Sequence, residues 1–166
     1  MFEVLAKQIG AIIVRAIQRQ FTLQGHRLTG KLNSSIEDIV TLTVTGAKIQ
    51  IVMLDYGIIQ NRGVPASRIP YDQTKRTGAK TSKYIEGLKN FARLRFGLSG
   101  KEALNAAFAI AAKHARQGMP TKGSFRFSKT GKRTGAIDAA LEDVDSKITS
   151  LTEQYLETII VENLAA

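Results

Sequence analysis

The chain of 166 residues contains no cysteine and no tryptophan, three prolines and two histidines. Without cysteine there is no disulfide, no thiolate nucleophile and no cysteine-ligated zinc site, a composition that suits a reducing compartment. No apolar run approaches the roughly 20 residues that a membrane-crossing helix needs. The N-terminus lacks a basic flank followed by an apolar block and a small-residue cleavage site, so no signal peptide is expected. Catalytic constellations are lacking too. His26 and His114 stand far apart, without acidic or histidine neighbours at ligand spacing. No serine lies in a Gly-x-Ser-x-Gly elbow. The stretch RTGAKTSK, residues 76–83, does not have the spacing of a phosphate loop. Asp55 has no partner carboxylate, and Asp138, Glu142, Asp143 and Asp145 read as a solvated helix face. Neither enzymatic activity, a cofactor nor a metal is expected.

Acidic residues are scarce in the middle of the chain, and there the positive charge concentrates. The net charge is +10 and the isoelectric point about 10.0. Residues 1–59 carry 6 basic and 4 acidic side chains, residues 60–133 carry 17 and 3, and residues 134–166 carry 1 and 7. A basic middle favours a polyanion, nucleic acid above all. The acidic tail offers a complementary surface to the basic middle of a neighbouring copy. No zinc finger, helix-turn-helix or ribonucleoprotein aromatic signature accompanies the charge.

Hydrophobic spacing predicts the elements. Phe2, Leu5, Ile9, Ile12, Ile13, Ala16, Ile17 and Phe21 recur at steps of three and four, predicting an amphipathic helix over 2–21. Gly10 inside it suggests a close contact, since glycine in a helix costs about 1 kcal/mol against alanine. Residues 38–45 and 47–54 alternate and are rich in β-branched types, predicting a hairpin with Gly46 at positive φ in its turn. Residues 57–82, with two prolines and the basic Arg62, Arg68, Lys75, Arg76 and Lys80, hold no sustained period and are expected to form a long basic loop. Its Ile58, Ile59, Ile69 and Tyr71 suit a segment that orders against a partner.

A helix is expected over 83–96, with Ile85, Leu88, Ala92 and Phe96 inward. An alanine-rich helix follows, opened by a Ser99–Glu102 capping box and ended at Gly118 before Pro120. So many alanines make a thin helix that others approach closely. A second basic loop spans 118–133, in which SFRFS, residues 124–128, suits a short strand. The aromatics Phe91, Phe96, Phe125 and Phe127 read as core. Ile137, Leu141, Val144, Ile148, Leu151, Tyr155 and Ile159 predict a last helix over 134–164, with a strand near 157–162 as the alternative.

The order of the first half carries a resemblance. The long helix is followed by Thr29-Gly30-x-Leu32-x-x-Ser35-Ile36, then the hairpin, then Tyr56-Gly57 and the loop NRGVPASRIPY. This resembles the small tail-completion, or head–tail joining, neck proteins of tailed bacteriophages, over about residues 1–71. Asp55-Tyr56 stands where that family has an aromatic-Glu pair, Ile58 where threonine is common, and SRIPY follows the family's ARPF-like pattern loosely. Thr29 and Gly30 are expected to make the turn out of the helix layer, Leu32 and Ile36 to anchor the strand start, and Ser35 to bind a backbone group.

The expected fold is α+β: a long N-terminal helix, a small antiparallel sheet covered on one face by that helix and the middle helices, and a C-terminal helical extension. The expected division is an α+β domain over 1–133 with the basic loop 57–82, and the extension over 134–166. The resemblance implies a structural virion protein, assembled in the bacterial cytoplasm into a ring of six or twelve copies. That ring would join portal to tail around the DNA channel, with DNA contacted weakly and no membrane. Arg62, Arg68, Lys75, Arg76, Lys80 and Lys83 are then the candidates for the subunit or portal interface, or for lining the channel. The alternative is a non-specific basic DNA-binding protein outside a virion.

Overall fold

A computed structural model of the chain describes residues 2–72, 82–121, 125, 131 and 133–164. The fold is α+β. In chain order the elements are α1 (Phe2–Leu23), the short α2 (Lys31–Ser34), β1 (Glu37–Thr43), β2 (Gly46–Val52), α3 (Tyr56–Arg62), a 3-10 turn (Ala66–Arg68), α4 (Lys83–Phe96), α5 (Gly100–Gln117) and α6 (Ala136–Leu164). They sort into two compact units: Met1–Gly57 with Gly135–Ala166, and Ile58–Thr134. Among the described residues no helix is long and apolar enough to cross a membrane.

The first unit is organised by α1. Its apolar stripe puts Ile17 and Phe21 at 1% and 0% exposure, in one cluster with Leu32, Ile36, Ala136 and Ala140. The alanines of α6 carry no bulk beyond Cβ, so α6 lies directly against Phe21 and Ile17. The two helices run antiparallel: Gln20 Nε2 donates to Asp143 at one end, and Phe2 meets Tyr155 at 5.6 Å at the other. The last helix, expected as an extension, is therefore half of the helical layer of this unit. Of the stripe predicted for it, Val144 is buried and Ile137, Ile148, Leu151, Tyr155 and Ile159 are half-buried, whereas Leu141 is exposed and Ala136 and Ala140 supply the fully buried contacts. The stretch with the strand alternative, 157–162, is helical.

The other side of α1 holds the hairpin. β1 and β2 pair antiparallel with Glu37 opposite Val52 and Thr43 opposite Gly46. The inward pairs are Asp38 with Ile51 and Val40 with Ile49, all half-buried, while Ile39 and Val52 face outward. Gly10 provides the close contact its position suggested. A Cβ there would lie 2.5 Å from Asp38 Oδ2 and 3.0 Å from Asp38 Cβ. The turn corrects the sequence reading. Val44 and Thr45 form it, Gly46 already belongs to β2, and none of the three has positive φ.

The second unit rests on α4 against α5. Ile85, Ala107 and Ala111 form its cluster, with Tyr71, Tyr84, Leu88 and Leu104 around them. Ala103, Ala107 and Ala111 recur every four residues at 0% exposure, so α5 offers a smooth alanine face to α4. Within the first unit the cover of the sheet is α1, and the middle helices pack on one another in the second. Ser82 caps α4 by accepting from Ile85 N at 3.3 Å, and Gly97 closes it at φ 70°. Ser99 is the N-cap of α5 but makes no side-chain cap bond, so the expected capping box is not formed. Phe96 and Phe125, expected in the core, are 58% and 70% exposed. Phe127 and the rest of the SFRFS stretch lie outside the described residues.

Two substitutions test the seam between α1 and α6. Phe21→Ala is expected to lower the unfolding free energy by about 3–5 kcal/mol. Ala140→Leu, which forces bulk into a filled space, is expected to cost about 1–3 kcal/mol. Leu156→Ser, at an exposed position, is expected to stay within about 0.5 kcal/mol. Urea denaturation measures all three, and an Ala140→Leu as mild as Leu156→Ser would contradict the close approach.

Candidate functional site

The two groups of residues singled out by sequence occupy different units. The motif residues gather in the first. Gly30, at φ 80°, opens α2 in the left-handed conformation that side chains disfavour. The bond from Lys31 N to Thr29 Oγ1 is long, at 3.5 Å. α2 then drops Leu32 into the core at 4% exposure, and Ile36 follows at 2%. Ser35 binds two backbone groups: its hydroxyl donates to Leu32 O at 2.8 Å and accepts from Leu54 N at 3.2 Å. That second bond ties the start of β1 to the end of β2.

Gly57 completes the junction. A Cβ there would come within 2.9 Å of Leu32 Cδ1 and 2.6 Å of Met53 Sδ. The two halves of the motif, Leu32 and Gly57, thus touch across 25 residues of chain. Tyr56 beside it is exposed. Asn33, with no role assigned by sequence, clamps α2 to α1. Its side-chain Nδ2 donates to Gln18 O at 3.2 Å and Thr22 Oγ1 at 2.8 Å, and its backbone carbonyl accepts from Gln18 Nε2 at 2.9 Å. Lys31 is exposed.

The basic candidates belong to the second unit. Arg62 ends α3, Arg68 ends the 3-10 turn and Lys83 opens α4; all three are exposed. Lys75, Arg76 and Lys80 lie outside the described residues. The segment that carries Arg62 and Arg68 corrects the expectation of a long loop, because it holds α3 and the 3-10 turn. It is also pinned at several points. Val64 N donates to Met119 O at 2.6 Å, and Met119 N returns a bond to Val64 O at 2.8 Å. Further on, Tyr71 packs on Phe108 of α5 at 6.3 Å.

The bridge between 64 and 119 needs two glycines. Gly63 is at φ 75°, and a Cβ there would stand 2.7 Å from Met119 O. Gly118 is at φ 78° and ψ −175°, with Val64 O at 2.6 Å from the same construction. The peptide between Met119 and Pro120 is cis. Around this bridge lies an open cleft of about 220 Å³, walled by Arg62, Pro65, Gln117, Met119 and Thr134 among others. The sequence reading did not single out Gly63, Gly118 or the cleft as a unit. Its only signal was a glycine at each of two breaks in periodicity.

A third feature had no signal at all. His114 is buried in α5, where its Nδ1 lies 2.7 Å from the hydroxyl oxygen of Tyr84 in α4. The two residues are 30 apart in sequence. Burial pulls the imidazole below its ordinary pKa, with Lys113 adding in the same direction, and burial raises the phenol of Tyr84. Both shifts favour neutral forms, and a neutral pair can share one proton in a hydrogen bond. His26 is instead an edge partner of Phe21, with ring centroids 5.6 Å apart. Near the end of α4, burial and the like charge of Arg95 lower the pKa of Arg133. Among the described residues no group of three acidic or histidine side chains is placed to hold a metal ion.

No protein-family model, curated protein or solved structure matches this chain.

Two outcomes follow from this geometry. Gly118→Ala is expected to cost about 2–4 kcal/mol in unfolding free energy, because the new Cβ meets a backbone carbonyl and the dihedrals are nearly exclusive to glycine. An unchanged denaturation midpoint would refute that. For His114 the folded pKa lies below the unfolded one. Stability tied to the neutral ring is therefore complete above the unfolded value and lost as the pH falls through it toward the folded value. The thermal midpoint is expected to fall more steeply between pH 7.5 and 5 in the wild type than in His114→Gln. Parallel curves would remove His114 as the cause.

Proposed function

We propose that this chain is a structural virion protein of a tailed phage, a neck or tail-completion subunit that assembles as a ring joining portal to tail around the DNA channel. One observation carries the reading. The segments that resemble the tail-completion proteins, Thr29 to Ile36 and Tyr56-Gly57, converge on one junction, where Gly57 abuts Leu32 and Ser35 binds Leu54 N. A motif whose separated halves pack on each other is a folding unit, and its order matches that of the family it resembles. In this reading the chain acts by assembly and catalyses no reaction.

The segment that follows supplies the working surface. Its Arg62 and Arg68 sit on short, pinned elements, exposed and spaced six residues apart. Cations held on ordered backbone suit an interface with acidic neighbours or a passage for DNA, because the backbone that carries them need not be ordered on contact. Weak, salt-screened contact with phosphates serves a channel, in which DNA must slide. The basic surplus of residues 60–133 also favours a second reading, a non-specific DNA-binding protein outside a virion. That reading requires tight duplex binding whose affinity falls steeply with salt.

Light scattering at high protein concentration, with negative-stain images of the same sample, separates the two. Closed rings of six or twelve copies are expected. Arg62→Glu combined with Arg68→Glu is expected to abolish assembly while leaving the circular dichroism and the thermal midpoint of the monomer unchanged. Rings that form normally with both charges reversed would remove these residues from the interface. A monomer that binds DNA tightly at low salt would favour the second reading.

A further inference from the structure

The hairpin is a sheet with no buried residue of its own. β1 and β2 carry Ile39, Val40, Leu42, Ile49, Ile51 and Val52, yet no position in either strand is fully covered. α1 half-covers one face. On the other face Ile39 and Val52 stand in the open, and Leu42, near the turn, is 53% exposed. Among the described residues no third strand joins the sheet, so both of its edges are open. An open edge is a row of unpaired backbone donors and acceptors, and its complement is another strand edge.

The register shows which groups point outward. Thr43 and Gly46 flank the two-residue turn and face each other, which makes them a hydrogen-bonded pair. Alternation then directs the N–H and C=O of Glu37, Ile39, Thr41 and Thr43 to β2, and those of Asp38, Val40 and Leu42 to the open edge. On β2 the outward set is Ala47, Ile49 and Ile51. The two edges differ in how they are defended. β2 opens with Gly46 and Ala47 and carries Lys48, residue types that weaken a strand or blunt its edge. β1 has no lysine, proline or glycine. Its one inward charge, Asp38, lies against Gly10 of α1.

The edge of β1 fits a second copy of itself. Two β1 strands set antiparallel about a two-fold axis at Val40 bring Asp38 opposite Leu42, and Val40 opposite its own counterpart. That register engages every outward residue of both strands, with two hydrogen bonds at each opposed pair and about six in all. It sends the acidic residues Glu37 and Asp38 of the two copies to opposite ends of the contact. It also places the exposed Ile39 opposite Thr41 and diagonal to the second Ile39, where apolar side chains reach each other. The same operation on β2 would set Lys48 diagonal to the second Lys48, a like-charge contact.

We infer that β1 pairs edge to edge with β1 of a second copy, antiparallel and centred on Val40, giving a four-stranded sheet in the order β2-β1-β1-β2. Each copy uses the same patch, so the contact stops at two copies and leaves further assembly to other surfaces. It concerns the free protein and does not rest on the neck reading.

The absence of native cysteine makes disulfide mapping direct. Ile39→Cys and Thr41→Cys, both at exposed positions, are prepared as separate full-length variants, mixed, and equilibrated in a glutathione redox buffer. In the inferred register these positions form a non-hydrogen-bonded pair with Cα atoms about 4.5 Å apart, within disulfide reach. Linked dimer is expected from the mixture at about ten times the yield of either variant alone, or more. Val40→Pro removes an N–H that points to the open edge and none that holds the hairpin. Placed in both partners, it is expected to abolish the link with the circular dichroism unchanged. Ile49→Pro, its counterpart on β2, is expected to leave the link intact. If Val40→Pro alters the circular dichroism, the cysteine pattern alone decides. A link that survives Val40→Pro would overturn the inference. So would a predominant link between Ile39→Cys and Gln50→Cys, which marks β1 against β2, or between Lys48→Cys and Gln50→Cys, which marks β2 against itself. No link in any mixture would overturn the edge pairing and leave the neck reading standing. The expected link in samples that never form rings would keep the pairing and count against the neck reading.

Discussion

Everything in the first unit depends on how closely other elements approach α1. Phe21 and Ile17 fill the core; α6 reaches them because it presents alanines, and the turn into β1 adds Leu32 and Ile36 to the same cluster. At Gly10 even a Cβ is missing, and the side chain of Asp38 occupies its place. A helix with large residues on one stripe and small ones facing it packs at short range, and dispersion contacts fall off steeply with any gap. One helix therefore holds both the hairpin and α6, elements separated by more than 80 residues of chain.

The same economy recurs in the second unit, where α5 offers three alanines to the larger residues of α4. In both units the buried volume comes chiefly from one helix and the flat surface from its partner. This leaves many large apolar residues outside. The end of α6, the last turn of α4 and the outer face of the hairpin carry Ile160, Leu94 and Ile39 in the open. A protein with cores this lean and a surface this apolar is suited to burying more area by association, as subunits of assemblies do. The charge gradient along the chain leaves an acidic last helix in one unit and the basic surplus in the other.

Much of the architecture was legible because it is periodic. The stripes of α1, α4 and α6 and the alternation of the hairpin each repeat over many residues, so a few misplaced side chains do not obscure them. Leu141 and Phe96 were misplaced because spacing gives the direction of a side chain and not whether anything lies opposite. The short α3 and the 3-10 turn were missed since seven residues or fewer contain at most two periods. The capping box at Ser99 was present as letters and absent as a bond, because a side chain has rotamers that the pattern does not choose. Of the candidate surface, the exposed cations Arg62, Arg68 and Lys83 were recognisable by composition. The bridge between Val64 and Met119 was not, since it joins residues 55 apart through backbone atoms that every residue possesses.

The amino-acid sequence by itself determined the charge layout, the lack of thiol chemistry, the helices and strands with long repeats, and the motif order Thr29 to Gly57. These are properties of residue type and local spacing, and no distant contact is needed to read them. Only the tertiary structure decided that α6 belongs with α1, that Gly57 rests on Leu32, and that Tyr84 meets His114. Each depends on which surfaces meet and how closely. That is settled by shape and volume summed over residues far apart in the chain, information that no single stretch of sequence holds.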